Sequence, residues 1–255
     1  MHLVRLLCVL AVAALAARAD SAGAQTPAAL TVFAASDLGP AFKQILPQFE
    51  RKTRTSVTLV LGSTGMLAQQ IRNGAPADVF FAANESFVKS LVDEQLTVPH
   101  STALYARGRL TMIALKSATV QLDALADLDD TRIKRIAIAH PQHAPYGLAA
   151  RQALEAAGLW KTVERKLVFG ENVQQAVQFV RSGSAEAGIV ARSVSDTPDL
   201  RWTLVDAGLH APLDQVAVVL ARTKQPSTAA AFIEFVNGAD GRLVMKQFGF
   251  LGPRD

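Results

Sequence analysis

The sequence feature that most constrains the fold is an apolar strand pattern that runs directly into a glycine-containing loop and a helix. Val57 to Leu61 is the strand, and Gly62-Ser63-Thr64-Gly65 follows it at once. Leu67 and Ile71 then recur at helical spacing. Such a junction directs free backbone N–H groups and the positive end of a helix dipole at the space above the loop. The loop predicts either an anion site or an ordinary helix cap made by one of its hydroxyls.

Strand and helix patterns alternate along the rest of the chain. Apolar strand patterns cover residues 30–35, 57–61, 79–82, 110–115, 136–139, 166–169, 187–190 and 216–220. Helical patterns cover residues 40–52, 86–94, 122–128, 147–157, 172–181, 227–236 and 241–248. This order predicts an α/β fold with a mostly parallel sheet covered by helices on both faces, and a new unit starts near Gly108.

The first 24 residues are typical of a secretory signal peptide. A short basic start precedes an apolar run from Leu6 to Ala17, and small residues follow at Ala22-Gly23-Ala24. The run is too short for a comfortable membrane span. We predict cleavage after Ala24, or alternatively after Ala19. The single cysteine, Cys8, lies in this segment, so the exported protein is expected to have no thiol and no disulfide.

Composition restricts the possible partners. The chain has 255 residues, half of them hydrophobic, which is enough for one large domain or two small ones. Its net charge of +4 comes from scattered residues and not from a run of like charges. Together with export, this distribution argues against nucleic acid as a partner.

Three further junctions between a strand and a helix resemble the first one. They are Ala34-Ala35-Ser36-Asp37, Pro145-Tyr146-Gly147 and Gly170-Glu171-Asn172-Val173. Ligands of open parallel sheets bind at the carboxyl ends of the strands, where such loops gather. Four small, polar helix starts are therefore expected to converge on one anion, although each alone also fits a simple helix cap.

These motifs resemble those of the periplasmic molybdate-binding proteins of ABC importers, which belong to the type II periplasmic binding proteins. The similar segments, in order, are Val32-Phe33-Ala34-Ala35-Ser36, Gly62-Ser63-Thr64-Gly65, Gly74-Ala75-Pro76-Ala77-Asp78-Val79-Phe80, Pro145-Tyr146-Gly147, Gly188-Ile189-Val190, Pro212-Leu213-Asp214-Gln215 and Phe248-Gly249-Phe250. The resemblance extends over nearly all of residues 30–250.

The resemblance implies a two-lobed fold with the ligand cleft between the lobes. Residues 25–107 and 217–255 would form lobe I, and residues 108–216 would form lobe II. It also implies a periplasmic, monomeric binding protein without a cofactor, which delivers molybdate or tungstate to a membrane ABC permease. Another tetrahedral oxyanion, such as sulfate or phosphate, stays open as the ligand.

The resemblance places the ligand-binding residues at four loops. Matched without gaps, the ligands are Ser36, Asp37, Ser63, Thr64, Tyr146 and Val173. Tyr146 and Val173 would act through their backbone N–H groups. Molybdate is a fully ionised dianion that only accepts hydrogen bonds, so neutral donors can hold it without a buried cation.

Two positions depart from the family pattern. Ala191 stands where many members have a tyrosine that donates to the anion, so one donor is missing or comes from elsewhere. Asp37 stands where a serine is common. Because a carboxylate repels a dianion, we expect the Asp37 side chain to turn away and cap its own helix. A carboxylate that faced the ligand would instead favour a protonated oxyanion such as hydrogen phosphate.

The remaining polar residues give little support for other functions. His140 and His143 are separated by Pro141 and lack a carboxylate cluster, which argues against a metal site. We expect Arg107, Arg109 and Arg192 to lie at the surface and Asp214 and Gln215 to stabilise the return crossing between the lobes. No nucleophile motif is present, and pairing of Ser36 or Ser63 with His140 or His210 is a remote hydrolase alternative. The sequence thus favours a binding protein over an enzyme.

Overall fold

A computed structural model describes residues 29–253 of the protein. The predicted signal peptide, residues 1–24, lies outside these described residues. Within residues 29–253, no helix is long and apolar enough to cross a membrane.

Ten strands and nine α-helices make up the described part of the chain. The strands are β1 (Leu30–Ala35), β2 (Val57–Gly62), β3 (Val79–Ala82), β4 (Ala103–Gly108), β5 (Leu110–Leu115), β6 (Ile136–Ala139), β7 (Leu167–Gly170), β8 (Ala187–Ala191), β9 (Leu200–Leu204) and β10 (Leu213–Val219). The helices are α1 (Gly39–Thr53), α2 (Thr64–Arg72), α3 (Glu85–Asp93), α4 (Pro145–Ala156), α5 (Trp160–Val163), α6 (Val173–Arg181), α7 (Arg192–Ser195), α8 (Pro226–Asn237) and α9 (Ala239–Gln247). Short 3-10 turns include Ser36–Leu38, between β1 and α1.

The strands form two five-stranded sheets flanked by helices. The first sheet has the order β2-β1-β3-β10-β4, and the second has the order β7-β6-β8-β5-β9. Both sheets are mixed and not mostly parallel. In the first, β1 is parallel to β2 and β3, whereas β10 is antiparallel to β3 and β4. In the second, β6 is parallel to β7 and β8, whereas β5 is antiparallel to β8 and β9.

The antiparallel pairs arise where the chain passes between the sheets. Only Arg109 separates β4 of the first sheet from β5 of the second. The chain returns from β9 to β10, and Leu213 of β10 pairs with Gly108 of β4. We therefore describe residues 29–108 and 213–253 as the first lobe and residues 109–212 as the second lobe. The predicted boundary at residues 216/217 falls inside β10, because four residues before Ala217 already pair with β4.

Each lobe has its own apolar core. In the first lobe, the rings of Phe42, Phe49, Phe81 and Phe232 meet edge to face, with centroids 4.9 to 5.7 Å apart. In the second lobe, all four residues of β6 are fully buried, as expected for a central strand covered on both faces. These cores make rigid supports for the loops at the carboxyl ends of β1, β2, β6 and β7.

Candidate functional site

A small cavity between the two lobes brings together all four predicted helix starts. It is lined by Ala35, Ser36, Asp37, Gly62, Ser63, Thr64, Ala83, Ala144, Pro145, Tyr146, Asn172 and Val173. The six residues singled out from the sequence are all among them, and each is only 1 % to 4 % exposed. The space inside the cavity that the centre of a water-sized sphere can reach is about 10 Å³, close to the roughly 10–15 Å³ needed to hold one water molecule. Its size suits a small ion.

The first lobe contributes the turn after β1 and the start of α2. Ser36 and Asp37 open the 3-10 turn that leads into α1. Ser63 is the N-cap residue of α2, with extended backbone angles, and Thr64 is the first residue of that helix. Because the first N–H groups of a helix have no acceptor within it, these residues direct backbone donors into the cavity.

The two hydroxyls of the α2 loop do not act as helix caps. No side-chain cap hydrogen bond joins Ser63 to α2. Its Oγ lies 3.0 Å from Nδ1 of His143 instead. Thr64 Oγ1 accepts the N–H of Ala83 at 3.1 Å, which leaves the Thr64 proton free for another acceptor. The simple cap interpretation of this loop therefore does not hold for either side chain.

The second lobe contributes the starts of α4 and α6. Tyr146 is the second residue of α4, and Val173 is the first residue of α6. Asn172 caps α6 with its own side chain, which accepts the N–H groups of Gln174 and Gln175. The cap uses the second and third N–H groups of α6, so the first one, on Val173, is left for a ligand.

The Asp37 carboxylate is held in a buried hydrogen-bond network below the cavity. Gln215 Nε2 donates to Asp37 Oδ2 at 2.6 Å and to the Tyr146 hydroxyl at 2.9 Å. The Tyr105 hydroxyl donates to Gln215 Oε1 at 2.7 Å. The Asp37 carboxylate thus contacts β10, the strand by which the chain returns to the first lobe, in addition to the turn that contains Asp37.

The buried surroundings of these side chains change their pKa values. Burial raises the pKa of Asp37 to about 6, although hydrogen bonds from Gln215 and Tyr146 act in the opposite direction. Burial also raises the pKa of the Tyr146 and Tyr105 hydroxyls, and the Asp37 charge raises them further. Both tyrosines therefore stay protonated, and Asp37 has neutral donors but no cation as a partner.

Among residues 29–253, no lysine or arginine lines the cavity. Arg192 is buried, contrary to the expected surface position, and its guanidinium lies 3.9 Å from the Trp202 ring centroid while bonding Asp196. Arg107 pairs with Asp214, and Arg109 donates to the carbonyl of Gly249. An anion in the cavity would therefore be held by backbone N–H groups, hydroxyls and helix dipoles and not by a cationic side chain.

Several hydrogen bonds cross from one lobe to the other around the cavity. The N–H of Gly65 donates to the carbonyl of His143 at 2.8 Å. Gln174 Nε2 donates to the carbonyl of Ser36 at 2.7 Å, and Ser193 Oγ donates to the carbonyl of Asp37 at 2.8 Å. The lobes are therefore in a closed arrangement around the site.

The histidines form a contact that the sequence did not predict. His140 and His143 stack with ring centroids 4.8 Å apart and an interplanar angle of 11°. Burial lowers the pKa of His143, the neighbouring His140 lowers it further, and Glu171 raises it. In residues 29–253 no group of three His, Cys, Asp or Glu side chains could hold a metal ion. His210, named in the hydrolase alternative, bonds through Nδ1 to the adjacent carbonyl of Ala211 and is not among the residues that line the cavity.

Sequence reasoning did not identify Tyr105, His143 or Ser193 as neighbours of the site, and it placed Asn172 in a converging junction without assigning it a role. Asn172 carried a usable signal, because asparagine directly before an apolar helical pattern is a favoured N-cap. The others are joined to the site only by contacts that are distant in sequence. Ala191 is fully buried at the end of β8 and does not line the cavity.

The fold and the cavity together define a solute-binding protein, and comparison with known proteins agrees. A family model described as bacterial extracellular solute-binding protein matches residues 30–251. The chain belongs to this family, whose members bind solutes and are not enzymes.

Individual proteins of this kind are similar to the chain over most of its length. The chain is 37 % identical over 244 residues to the molybdate-binding protein ModA of Azotobacter vinelandii, covering 94 % of this chain and 96 % of that one. It is 33 % identical to the molybdate-binding protein ModA of Rhodobacter capsulatus, covering 82 % of each chain. The solved periplasmic molybdate-binding protein of Azotobacter vinelandii superposes with a TM-score of 0.83 at 30 % identity, covering 88 % of this chain and 99 % of that one.

Proposed function

We propose that the protein captures molybdate or tungstate in the cavity between its lobes and delivers it to a membrane ABC permease. The observation that supports this proposal is the convergence of four helix starts on a small cavity, which no cationic side chain of the described chain lines. Such a cavity suits a compact anion that accepts many hydrogen bonds.

In this proposal, Ser36, Asp37, Ser63, Thr64, Tyr146 and Val173 are the ligand-binding residues. Ser36, Ser63 and Thr64 donate from their hydroxyls and backbone, whereas Asp37, Tyr146 and Val173 donate only from their backbone N–H groups. The hydroxyl of Tyr146 is engaged with Gln215 and Asp37, so it supports the site from below. No further cofactor takes part. The names of the relatives in Azotobacter and Rhodobacter support molybdate as the ion.

We further propose that the protein works in the periplasm as a monomer, after removal of residues 1–24. The division into two lobes then explains capture: the ion docks on one lobe, and the other closes over it through the single-residue connection at Arg109. The closed pair of lobes presents one combined surface to the permease. Nucleic acid has no part in this function.

Calorimetric titration of the purified mature protein tests the choice of ion. We expect tight binding of molybdate and tungstate and at least about a hundredfold weaker binding of sulfate and phosphate. Tight binding of phosphate alone would contradict the proposal, and would identify Asp37 as the acceptor of a proton on the ion. Hydrolysis of a generic ester, abolished by Ser63→Ala, would instead support the hydrolase alternative.

Thr64→Val tests whether a loop hydroxyl contacts the ion. Its free proton makes Thr64 a donor, and a hydrogen bond to a charged group contributes about 1.5–3 kcal/mol. We therefore expect about a 10- to 100-fold increase in the Kd for molybdate. Thr64→Ser is the matched control, because it keeps both the hydroxyl and the bond from Ala83. Equal affinity of the valine and serine variants would exclude Thr64 as a side-chain ligand.

A further inference from the structure

His143 contacts the ion-binding loop of the opposite lobe at two points, although it is not one of the six candidate ligands. Its Nδ1 lies 3.0 Å from Ser63 Oγ, and its carbonyl accepts the Gly65 N–H at 2.8 Å. A Cβ atom on residue 65 would lie 2.8 Å from that carbonyl oxygen, so glycine is needed for this approach. The imidazole is therefore a direct hydrogen-bond partner of a hydroxyl that lines the cavity.

The state of this ring decides what Ser63 can offer to a ligand. A serine hydroxyl has one proton to donate and lone pairs that accept. If Nδ1 carries no proton, Ser63 must donate to the ring and turn a lone pair toward the cavity. If Nδ1 carries a proton, Ser63 accepts it, and the hydroxyl proton is free for the cavity.

We propose that His143 is a positioning residue for the bound oxyanion: its Nδ1–H donates to Ser63 Oγ and thereby directs the Ser63 proton to the ion. This inference rests on the proposed function. An anion that only accepts hydrogen bonds requires a donor at Ser63, and this hydroxyl makes no cap hydrogen bond to α2. Stacking on His140 restricts the plane of the ring. In the closed arrangement Nδ1 is the ring nitrogen that faces Ser63.

Nuclear magnetic resonance of the 15N-labelled protein tests the tautomer directly. Two-bond correlations between ring protons and ring nitrogens report which nitrogen carries a proton. At pH 7.5 and saturating molybdate, we expect the His143 Nδ1 to be protonated. A ring protonated only at Nε2 in the complex would overturn the inference.

Substitutions test the same arrangement through affinity. The amide nitrogen of His143→Asn can donate from the position of Nδ1–H, so we expect a Kd within about threefold of the unmodified protein. His143→Ala loses the donor, and we expect at least about tenfold weaker binding. His100→Ala, which removes an exposed histidine, is the control and should bind unchanged.

A double-mutant cycle separates positioning from general damage to the fold. Once Ser63→Ala has removed the hydroxyl, His143→Ala should cause no further loss of affinity, because the two residues act as one unit. Independent, additive losses would overturn the inference. Failure of the unmodified protein to bind any oxyanion would remove the proposed function itself. Normal binding with an unprotonated Nδ1 would remove only the role of His143.

Discussion

Asp37 is a buried carboxylate beside a cavity suited to an anion. Asp37 is only 1 % exposed, and its carboxylate bonds to the neutral side chains of Gln215 and Tyr146. In residues 29–253 it takes part in no ion pair. A negative charge at this position therefore opposes both folding and capture of an anion.

Asp37→Asn is expected to stabilise the protein above pH 6. Burial raises the pKa of Asp37 from 3.8 to about 6 in the folded protein. A raised carboxyl pKa makes the ionised side chain destabilising, and this effect develops as pH rises from about 4 to 6. The shift corresponds to about 3 kcal/mol at most, less whatever the lost hydrogen bond contributes. Urea unfolding at pH 8 should show a higher free energy for the variant, with little gain at pH 4.

Asp214→Asn is the control for this prediction. Asp214 is partly exposed and pairs with Arg107 close to the same crossing. Removing its charge should lower stability by no more than about 1 kcal/mol at pH 8. A loss of stability at pH 8 in Asp37→Asn as well would show that the hydrogen bonds of the carboxylate outweigh its burial.

The raised pKa of Asp37 also predicts how the affinity for the ion depends on pH. Protonation of Asp37 removes a negative charge near the ion, so affinity for a dianion should rise as pH falls from 8 toward 6. Calorimetry at several pH values measures the slope. The Asp37→Asn variant should bind at least as tightly at pH 8 and lose this part of the slope. If affinity depends on pH to the same extent in the variant, the dependence arises from another titratable group.

Individual residues of the site differed in how far the sequence could predict them. Backbone donors follow from local patterns, because a polar residue between a strand and a helix pattern fixes where a helix starts. Side-chain partners depend on contacts far apart in the chain, such as Gln215 with Asp37 and His143 with Ser63. No local pattern contains that information.

At the scale of elements, the apolar strands and the long helices lie where the sequence patterns predict them. β3, β5 and β6 have the predicted bounds, and α6 begins one residue later because Asn172 is its cap. β4 and β9 were missed, since polar residues such as Arg107 and Arg201 interrupt their apolar patterns. Both are edge strands, whose solvent-facing side favours polar residues.

Gly65→Ala tests the contact between α2 and the opposite lobe. Alanine favours a helix over glycine by about 1 kcal/mol, so unfolding of the ligand-free protein should not become easier. Its methyl group would lie 2.8 Å from the His143 carbonyl, which must open the lobes slightly. We expect at least about tenfold weaker binding of molybdate, measured by calorimetry.

Gly208→Ala provides the comparison for this substitution. The atoms nearest to a Cβ at residue 208 are 3.5 Å away, an ordinary contact distance. This variant should bind the ion normally. Unchanged affinity in Gly65→Ala would show that the lobes need not approach this closely in the complex.

At the scale of the whole molecule, ligand binding should couple to thermal stability. An ion present at about 100 times its Kd stabilises the folded state by about 2.7 kcal/mol. For a chain of this size that corresponds to a rise in Tm of about 5 to 10 °C. Differential scanning calorimetry with molybdate should show this rise, and Thr64→Val at the same ion concentration should show a smaller one. An equal rise with sulfate would indicate a general salt effect.

The division of the site between the lobes has a consequence for unloading. Each lobe supplies two of the four helix starts: the turn at Ser36 and α2 from one, α4 and α6 from the other. The field of a helix terminus falls off within about one turn. If the ion binds as we propose, a permease that pulls the lobes apart by a few ångströms would remove half of the proposed hydrogen-bond partners in one movement. Since no lysine or arginine of residues 29–253 lines the cavity, the proposed release breaks hydrogen bonds without breaking an ion pair.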